Sequence, residues 1–255
     1  MTTTTAGPTS PAPAGSVGGV VLPADRPLPA RLLGVLFSPR DTYAGVAARP
    51  RWLGAFAFVL LVGAAATFVF LSTDVGKQAM LDQQVRMMES FGMRIPDAAY
   101  QRMQQGIERA RYTGPIFQMV FQTLMAVIVA AIALGVFNAI LGGDARFKQV
   151  FAIIAHSGVV MALAQLFGQP LAYARESMSG VTNLAVFAPF LDESSFAARL
   201  LGSIDLFIIW WTISLAIGLG VLYRRRTGPI ATTLIVIYVA IGVVIAAIKT
   251  AVAGA

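Results

Sequence analysis

The feature that most constrains this chain is an uncharged apolar run that ends in three consecutive arginines. Residues 206–223 carry no charge and consist mainly of aliphatic, aromatic and glycine residues. A helix of that length is about 27 Å long, close to the roughly 30 Å hydrocarbon core of a bilayer. Asp205 precedes the run, and Arg224, Arg225 and Arg226 follow it. The run therefore predicts a membrane-spanning helix with one acidic and one strongly basic end.

The whole chain has the composition of a membrane protein. Of its 255 residues, 57% are hydrophobic and only 12% are charged, which is far from the usual composition of a soluble domain. The net charge of +7 comes from basic residues that lie between apolar runs, so membrane topology explains it better than nucleic-acid binding. The lack of cysteine excludes disulfides, thiolate metal sites and cysteine nucleophiles.

Five apolar runs predict an all-α, polytopic membrane protein with five transmembrane helices. Residues 1–29 are rich in Thr, Pro, Ala and Gly and predict a disordered tail, and residues 30–253 form the predicted membrane domain. The predicted spans cover about residues 52–72, 115–143, 149–174, 200–223 and 229–252. Five spans place the two termini on opposite sides of the membrane.

Short helices are predicted outside the spans. Residues 28–49 contain an apolar stripe too short to cross the bilayer, and a second short helix begins at Pro39 with Ser38 as its N-cap, so we expect both helices along the inner membrane surface. Residues 73–114 carry apolar side chains at intervals of three and four in each half. They predict an extramembrane hairpin of two amphipathic helices. Alternatively, the methionine-rich face of this segment is a docking surface.

The distribution of basic residues bears on orientation. With the N-terminus inside, ten lysines and arginines fall on the inner side and nine on the outer side, so the raw count does not decide. Five of the inner residues lie in the two shortest loops, where the positive-inside rule is most reliable. We therefore expect a cytoplasmic N-terminus, with Arg224, Arg225 and Arg226 as topology anchors beside the anionic inner leaflet.

Small residues recur every four positions on several predicted spans. Ala131, Gly135 and Ala139 do so on the second span, and Ser214 and Gly218 do so on the fourth. This spacing lets backbones approach closely and predicts a tight bundle. The glycines of the fourth span could instead mark a broken helix of the transporter type.

The sequence offers no template for an enzyme. His156 is the only histidine, so no two-histidine metal site can form, and the HExxH motif is absent. Ser157 projects about 100° away from His156 on a helix, so the two do not form a ready dyad. We expect no catalytic, cofactor or metal site, and we interpret His156 as a core histidine. A proton relay is the alternative, because ionisable groups at that depth are costly and commonly functional.

Six polar residues are predicted to lie at a similar depth in the outer half of the bundle. They are Gln118 and Gln122 on the second span, Gln165 and Gln169 on the third, Asp205, and Lys249. We predict that they form a polar layer that faces the bundle interior. In one interpretation the glutamines hydrogen-bond between helices and the two charges lie among lipid headgroups. In the other, Asp205 and Lys249 pair and line a cavity that binds a lipid headgroup or a small solute.

Three segments resemble the Yip-one domain family. Residues 36–43 (LFSPRDTY) and 49–52 (RPRW) are similar to the entry into its first span, and Gly142-Gly143 with residues 147–150 (FKQV) is similar to its link between spans two and three. Residues 203–210 (SIDLFIIW) resemble its fourth span most closely. The resemblance extends from about residue 32 to residue 247. His156-Ser157 departs from the family pattern, in which a tyrosine precedes the serine.

This resemblance implies a five-span protein with a cytoplasmic N-terminus. Eukaryotic members work in vesicle traffic and bind Rab GTPases, whereas bacterial members have no settled activity. The proline-rich tail and sixteen arginines against three lysines indicate a bacterial member in the cytoplasmic membrane, which argues against a Rab-type GTPase partner.

Two functions are consistent with these observations. The first is a non-enzymatic scaffold or membrane-organising factor, whose partners are the bilayer and either another membrane protein or a second copy of the chain. The alternative is a small transporter or permease component that uses the outer polar layer as its site.

Overall fold

The computed structural model of the chain describes residues 26–192 and 195–253, within which all regular structure is helical. The α-helices of these residues are α1 Leu28–Phe37, α2 Pro39–Ala48, α3 Leu53–Leu71, α4 Asp74–Ser90, α5 Asp97–Leu134, α6 Phe147–Ser157, α7 Val159–Ala174, α8 Phe196–Ser203, α9 Leu206–Leu222 and α10 Thr227–Ala253. A π-helical segment, Gly135–Ile140, continues α5, and a 3₁₀ turn covers Leu184–Phe187. Of the predicted tail, residues 1–25 lie outside the described residues, whereas Leu28 and Pro29 already belong to α1.

Four helical segments of the described chain are long and apolar enough to cross a membrane. They are Leu53–Leu71, Asp97–Ile140, Phe147–Ala174 and Thr227–Val252. A shorter apolar helix, α9, has 17 residues and is therefore about 26 Å long. The chain is thus an all-helical, polytopic membrane protein.

The helix pair α6–α7 lies at the centre of the bundle. Every residue from 150 to 160 is buried, and 61% of the most apolar stretch of Phe147–Ala174 is buried, against 11% for Thr227–Val252. Helices α3, α5 and α9 pack around this centre, and α10 packs against the outer side of α9. The central segment therefore contacts protein on most sides, whereas α10 turns most of its apolar surface outward.

The two ends of the bundle differ in chemistry. One end, here called the arginine end, holds Arg224–Arg226, the link at residues 141–146 and the start of α3. The other, here called the hairpin end, holds α4, the first turns of α5 and residues 175–205.

The first two helices pack into the arginine end. Tyr43 of α2 is fully buried, and its hydroxyl lies 2.7 Å from the hydroxyl of Ser214 on α9. On α1, Val35 is buried, whereas Leu33 is 58% exposed and Phe37 is 81% exposed. Helix α1 therefore has one side against the bundle and one apolar side that faces outward.

A second, smaller hydrophobic cluster joins α4 to the hairpin end. Its buried members come from α3, α4, α5 and α7 and are Phe70, Leu71, Ala79, Leu81, Ile107, Ala110 and Ala172. The ammonium of Lys77 lies 2.9 Å from a carboxylate oxygen of Glu108, and this hydrogen bond raises the pKa of Lys77 above its ordinary value. Apolar packing and one ion pair thus fix α4 against the start of α5.

The helix that contains the second predicted span begins before that span. The sequence predicts a span from Pro115, and α5 runs without a break from Asp97, so that with the π-helical segment it forms 44 helical residues, or about 66 Å. Proline removes one hydrogen bond, and the helix continues because packing holds both sides. A Cβ on Gly114 would lie 2.9 Å from Leu71 Cδ1 of α3, so the two helices touch at this point.

A glycine contact between α9 and α6 should matter for stability. A Cβ on Gly218 would overlap Ile153 Cγ2 and lie 3.2 Å from a ring carbon of Tyr43. We expect Gly218→Ala to lower the free energy of unfolding by about 1–3 kcal/mol, because the core would be overpacked.

The matched control is Gly106→Ala on α5, where nothing lies within 4 Å of the position that the added methyl carbon would occupy. It should be neutral or stabilising by about 0.5–1 kcal/mol, because alanine favours the helix. Thermal unfolding of the purified proteins in detergent checks both. Equal midpoints for the two variants would contradict the close contact.

Candidate functional site

Three of the predicted glutamines surround one cavity between α3, α5 and α7. Gln118, Gln122 and Gln165 line a space of about 330 Å³, together with apolar side chains and Trp211. Gln118 accepts a hydrogen bond of 2.5 Å from the Thr67 hydroxyl of α3. A Cβ on Gly63 would lie 2.7 Å from Gln118 Nε2, so the glycine makes room for the amide.

A second, smaller cavity of about 200 Å³ lies next to the first, and Gln165 lines both. Gln169 and Asp205 also line it. The Gln169 amide donates to Gln165 Oε1 at 3.1 Å, while Gln169 Oε1 is buried without a partner among the described residues. Five of the six residues of the predicted layer therefore lie along one line from α5 to the start of α9, here called the polar line.

Asp205 caps α9 at a break between two helices. The fourth span was expected to be one helix over residues 200–223, but α8 ends at Ser203 and α9 begins at Leu206. Asp205 Oδ1 accepts from the amides of Phe207 at 2.7 Å and Ile208 at 3.1 Å. These amides have no partner within their own helix, so the carboxylate stabilises the helix start and ends the preceding one.

Groups from two other parts of the chain hold this break in place. The Thr182 hydroxyl donates to Asp205 Oδ2, and the Leu206 amide donates to the Thr182 carbonyl oxygen at 3.1 Å. Tyr238 of α10 accepts from the Asp205 amide at 2.9 Å and donates to the Ser203 carbonyl oxygen at 2.8 Å. The turn is thus clamped between the loop at residues 175–192 and α10.

Lys249 lies away from the other five residues of the layer. Its ammonium sits 5.3 Å from the centre of the Phe91 ring, at the end of α4. Asp205 already satisfies Thr182 and two amides, and no Asp205–Lys249 ion pair is present within the described residues. The idea that these two charges pair is therefore not supported by their positions.

His156 and Ser157 are both fully buried in the central helix. His156 Nδ1 donates to the Ala152 carbonyl oxygen at 2.8 Å, and its Nε2 has no partner among the described residues. The Ser157 hydroxyl donates to the Ile154 carbonyl oxygen at 2.9 Å and accepts from Trp211 Nε1 at 3.1 Å. The serine is therefore occupied by other partners and does not face the histidine as a nucleophile would.

The arginines lie at the opposite end from this polar line. Arg224, Arg225 and Arg226 are exposed, and Arg225 donates to the Leu141 carbonyl oxygen at 3.0 Å. This bond ties the link between α9 and α10 to the end of the π-helical segment.

The polar line is suited to hydrogen bonding. Its side chains are four neutral amides and one carboxylate that is already bound on both oxygens, and the Thr67 and Thr182 hydroxyls donate to them. Among the described residues, no group of three or more His, Cys, Asp or Glu side chains could hold a metal ion. The arrangement can orient a polar ligand or join helices, because amides both donate and accept.

Several contributors to this region were not predicted from the sequence. Four side chains form hydrogen bonds with residues of the layer or the core: Thr67, Thr182, Trp211 and Tyr238. One signal was available: an aspartate directly before an apolar run is a typical N-cap, so Asp205 itself marks a helix start. The other partners depend on helix rotation, which hydropathy does not report.

The cap geometry predicts different effects for two substitutions of Asp205. Asp205→Ala should lower the free energy of unfolding by about 1–2 kcal/mol, whereas Asp205→Asn should cost much less, because asparagine also caps helices. Asp97→Ala, an exposed acid in the first turn of α5, is the control and should cost under about 0.5 kcal/mol.

Thermal unfolding in detergent measures all three variants. The double reversal Asp205→Lys with Lys249→Asp should not recover the loss caused by Asp205→Lys alone, because the two side chains do not meet. Rescue by the double reversal would contradict this geometry.

Comparison with known proteins agrees with the resemblance seen in the sequence. No curated protein and no solved structure is similar enough to the chain to be matched. The Yip1 domain family model matches residues 33–248, which cover every helix from the second half of α1 to nearly the end of α10. The chain therefore belongs to the Yip1 domain family of membrane proteins.

Proposed function

We propose that this protein is a non-enzymatic, membrane-organising member of its family in a bacterial cytoplasmic membrane, with a cytoplasmic N-terminus. The observation that carries the proposal is the two-sided packing of α1 at the arginine end. The same helix buries Val35 against the bundle and exposes Leu33 and Phe37. An amphipathic helix held in this way lies in the membrane interface.

The position of α1 and α2 adds helical volume at the arginine end, where α2 packs on α6 and α9. The hairpin end also exposes aromatic side chains: Phe187 is 69%, Phe190 is 82% and Phe196 of α8 is 41% exposed. Phe187 and Phe190 belong to a 3₁₀ turn and a loop rather than to an amphipathic helix. A shallow insertion of two helices on one side of a bilayer expands that leaflet relative to the other. We therefore propose that the protein favours curved membrane.

The hairpin end supports a second part of the proposal, contact with a membrane protein or a second copy of the chain. The end of α4, the turn after it and the start of α5 leave Met87, Phe91, Met93 and Tyr100 between 37% and 57% exposed. Methionine and aromatic side chains adapt well to varied partners. This surface lies outside the hydrocarbon because α5 is about twice as long as a bilayer core requires.

The proposed insertion of α1 and α2, here together called the wedge, can be tested by reconstitution. Protein placed in large vesicles should reduce their mean diameter in a dose-dependent way, as measured by cryo-electron microscopy. The pair Leu33→Ser with Phe37→Ser should weaken this effect, because each loses roughly 1.5–3 kcal/mol of apolar insertion.

Asp41→Ser, an exposed polar position on α2, is the matched control and should retain the full effect. Equal amounts of folded protein per vesicle must be confirmed by quantitative gel analysis. Unchanged diameters with the wild-type protein, or equal activity of both variants, would refute a membrane-shaping role.

The orientation can be tested with single thiols, because the natural chain has no cysteine. Gln101→Cys is exposed at the hairpin end, and Gly228→Cys is exposed at the arginine end. With a cytoplasmic N-terminus, a membrane-impermeant maleimide should label Gln101→Cys in intact spheroplasts and Gly228→Cys only after permeabilisation. The reverse pattern would invert the topology.

The glutamine cavity keeps a transporter or permease component as a second candidate. Its 330 Å³ volume and three amides fit a small polar group. Trp211 lines the cavity, so a bound probe such as phosphoethanolamine should change tryptophan fluorescence in the wild type and not in Gln122→Leu. A change that persists in the variant would place the binding elsewhere.

A further inference from the structure

An apolar groove at the arginine end opens beside the three consecutive arginines. It has a volume of about 670 Å³ and lies between α5 with its π-helical segment, α9 and α10. Its walls include Ala133, Leu219 and Ile230, and Arg224, Arg225 and Arg226 all line its mouth. This volume is within the range of about 300–1,000 Å³ that is typical of ligand pockets.

The arginines at the mouth have no acidic partner in the part of the chain that the structure describes. No carboxylate there forms an ion pair with any of the three guanidinium groups. Arg225 uses one nitrogen for the Leu141 carbonyl oxygen, and each guanidinium carries five donors. The site therefore has a large surplus of positively charged donors, whose preferred ligands are phosphate and carboxylate groups.

The backbone directs these side chains to one place. Arg224 adopts a positive φ of 53°, and the Arg225 amide donates to the Gly220 carbonyl oxygen at 2.8 Å, so the chain turns sharply at the end of α9. Helix α10 begins at Thr227, directly after the triplet, and its N-terminal end adds a partial positive charge. The turn thus concentrates positive potential at the mouth of the groove.

The apolar walls indicate what kind of anion would be held. Ile132 is 61% exposed and Ile237 is 51% exposed, and both line the groove, which therefore opens sideways toward lipid. A free phosphate ion would leave these walls unused. A molecule with an anionic head and a long apolar chain would satisfy both parts of the site.

We propose that the groove between α5, α9 and α10 binds an anionic glycerophospholipid from the leaflet at the arginine end, with its phosphate on Arg224–Arg226 and an acyl chain against the apolar walls. This inference is independent of the proposed membrane-organising function, because it uses neither α1 nor the hairpin. It assigns the arginines a binding role in addition to that of topology anchors.

The test is lipid binding to the purified full-length protein, measured by native mass spectrometry. Delipidated protein in detergent is titrated with phosphatidylglycerol and with phosphatidylcholine of the same acyl chains. The wild type should bind phosphatidylglycerol at least about tenfold more tightly. Replacing all three arginines with glutamine should remove the preference, and Arg226→Gln alone, which breaks no hydrogen bond within the described residues, should weaken it by about fivefold.

Two matched controls distinguish binding at this site from the effect of removing positive charge elsewhere and from the effect of adding a large side chain elsewhere. Arg94, Arg102 and Arg109 are exposed on the hairpin side, and their replacement with glutamine removes the same charge without affecting the preference. Thr233→Trp fills the groove and should weaken phosphatidylglycerol binding, whereas Thr232→Trp, on the neighbouring exposed position outside the groove lining, should not.

A competition experiment separates a lipid from a free phosphate. Soluble glycerol 3-phosphate should not displace phosphatidylglycerol at equal concentration, because it lacks the chain that fills the groove. Efficient displacement, or full binding by Thr233→Trp, would reduce the site to a phosphate contact and overturn the proposal. Retained preference in the Arg226→Gln and triple variants, or equal loss in the hairpin control, would also overturn it.

Discussion

The contact of Tyr43 with α9 determines how α1 and α2 pack on the rest of the bundle. Its ring packs on Gly218, its hydroxyl bonds to Ser214 at 2.7 Å, and it is fully buried. A buried hydroxyl without a partner would cost about 1–3 kcal/mol, so α2 has one favourable position on α9. Because α1 is joined to α2 through Ser38 alone, that position also decides which side of α1 faces outward.

A second constraint is that backbone groups at membrane depth must find partners. The chain leaves the helical path at Ile204 and Asp205, where several amides and carbonyls lose their own helical bonds. Thr182, Tyr238 and the Asp205 carboxylate supply the missing partners. The break is tolerated there because these groups satisfy the backbone. The same groups place the carboxylate beside Gln165 and Gln169, so the polar line is a consequence of how the break is satisfied.

Hydropathy and spacing predicted the fold class, because it depends on local pattern, and they placed four glutamines on two shared helix faces. Runs of apolar residues marked the long helices, and four-residue spacing placed Gln118 with Gln122 and Gln165 with Gln169 on shared faces. The rest depends on contacts between distant segments. Pro115 was expected to begin a span, yet packing on both sides carries the helix through it. Lys249 lies against the ring of Phe91, since spacing along a helix does not fix how the helix is rotated.

The wedge and the arginine groove lie at the same end of the bundle and share a structural link. Arg40 of α2 donates to the Thr227 hydroxyl at 3.4 Å, and Thr227 is the first residue of α10, directly after Arg226. A lipid phosphate bound by the triplet would hold the start of α10 in place and with it the acceptor for Arg40. Both α2 and the groove also rest on α9, through Ser214 and Leu219. Because α9 supports both α2 and the groove, lipid composition at this end would affect the position of α1 and α2.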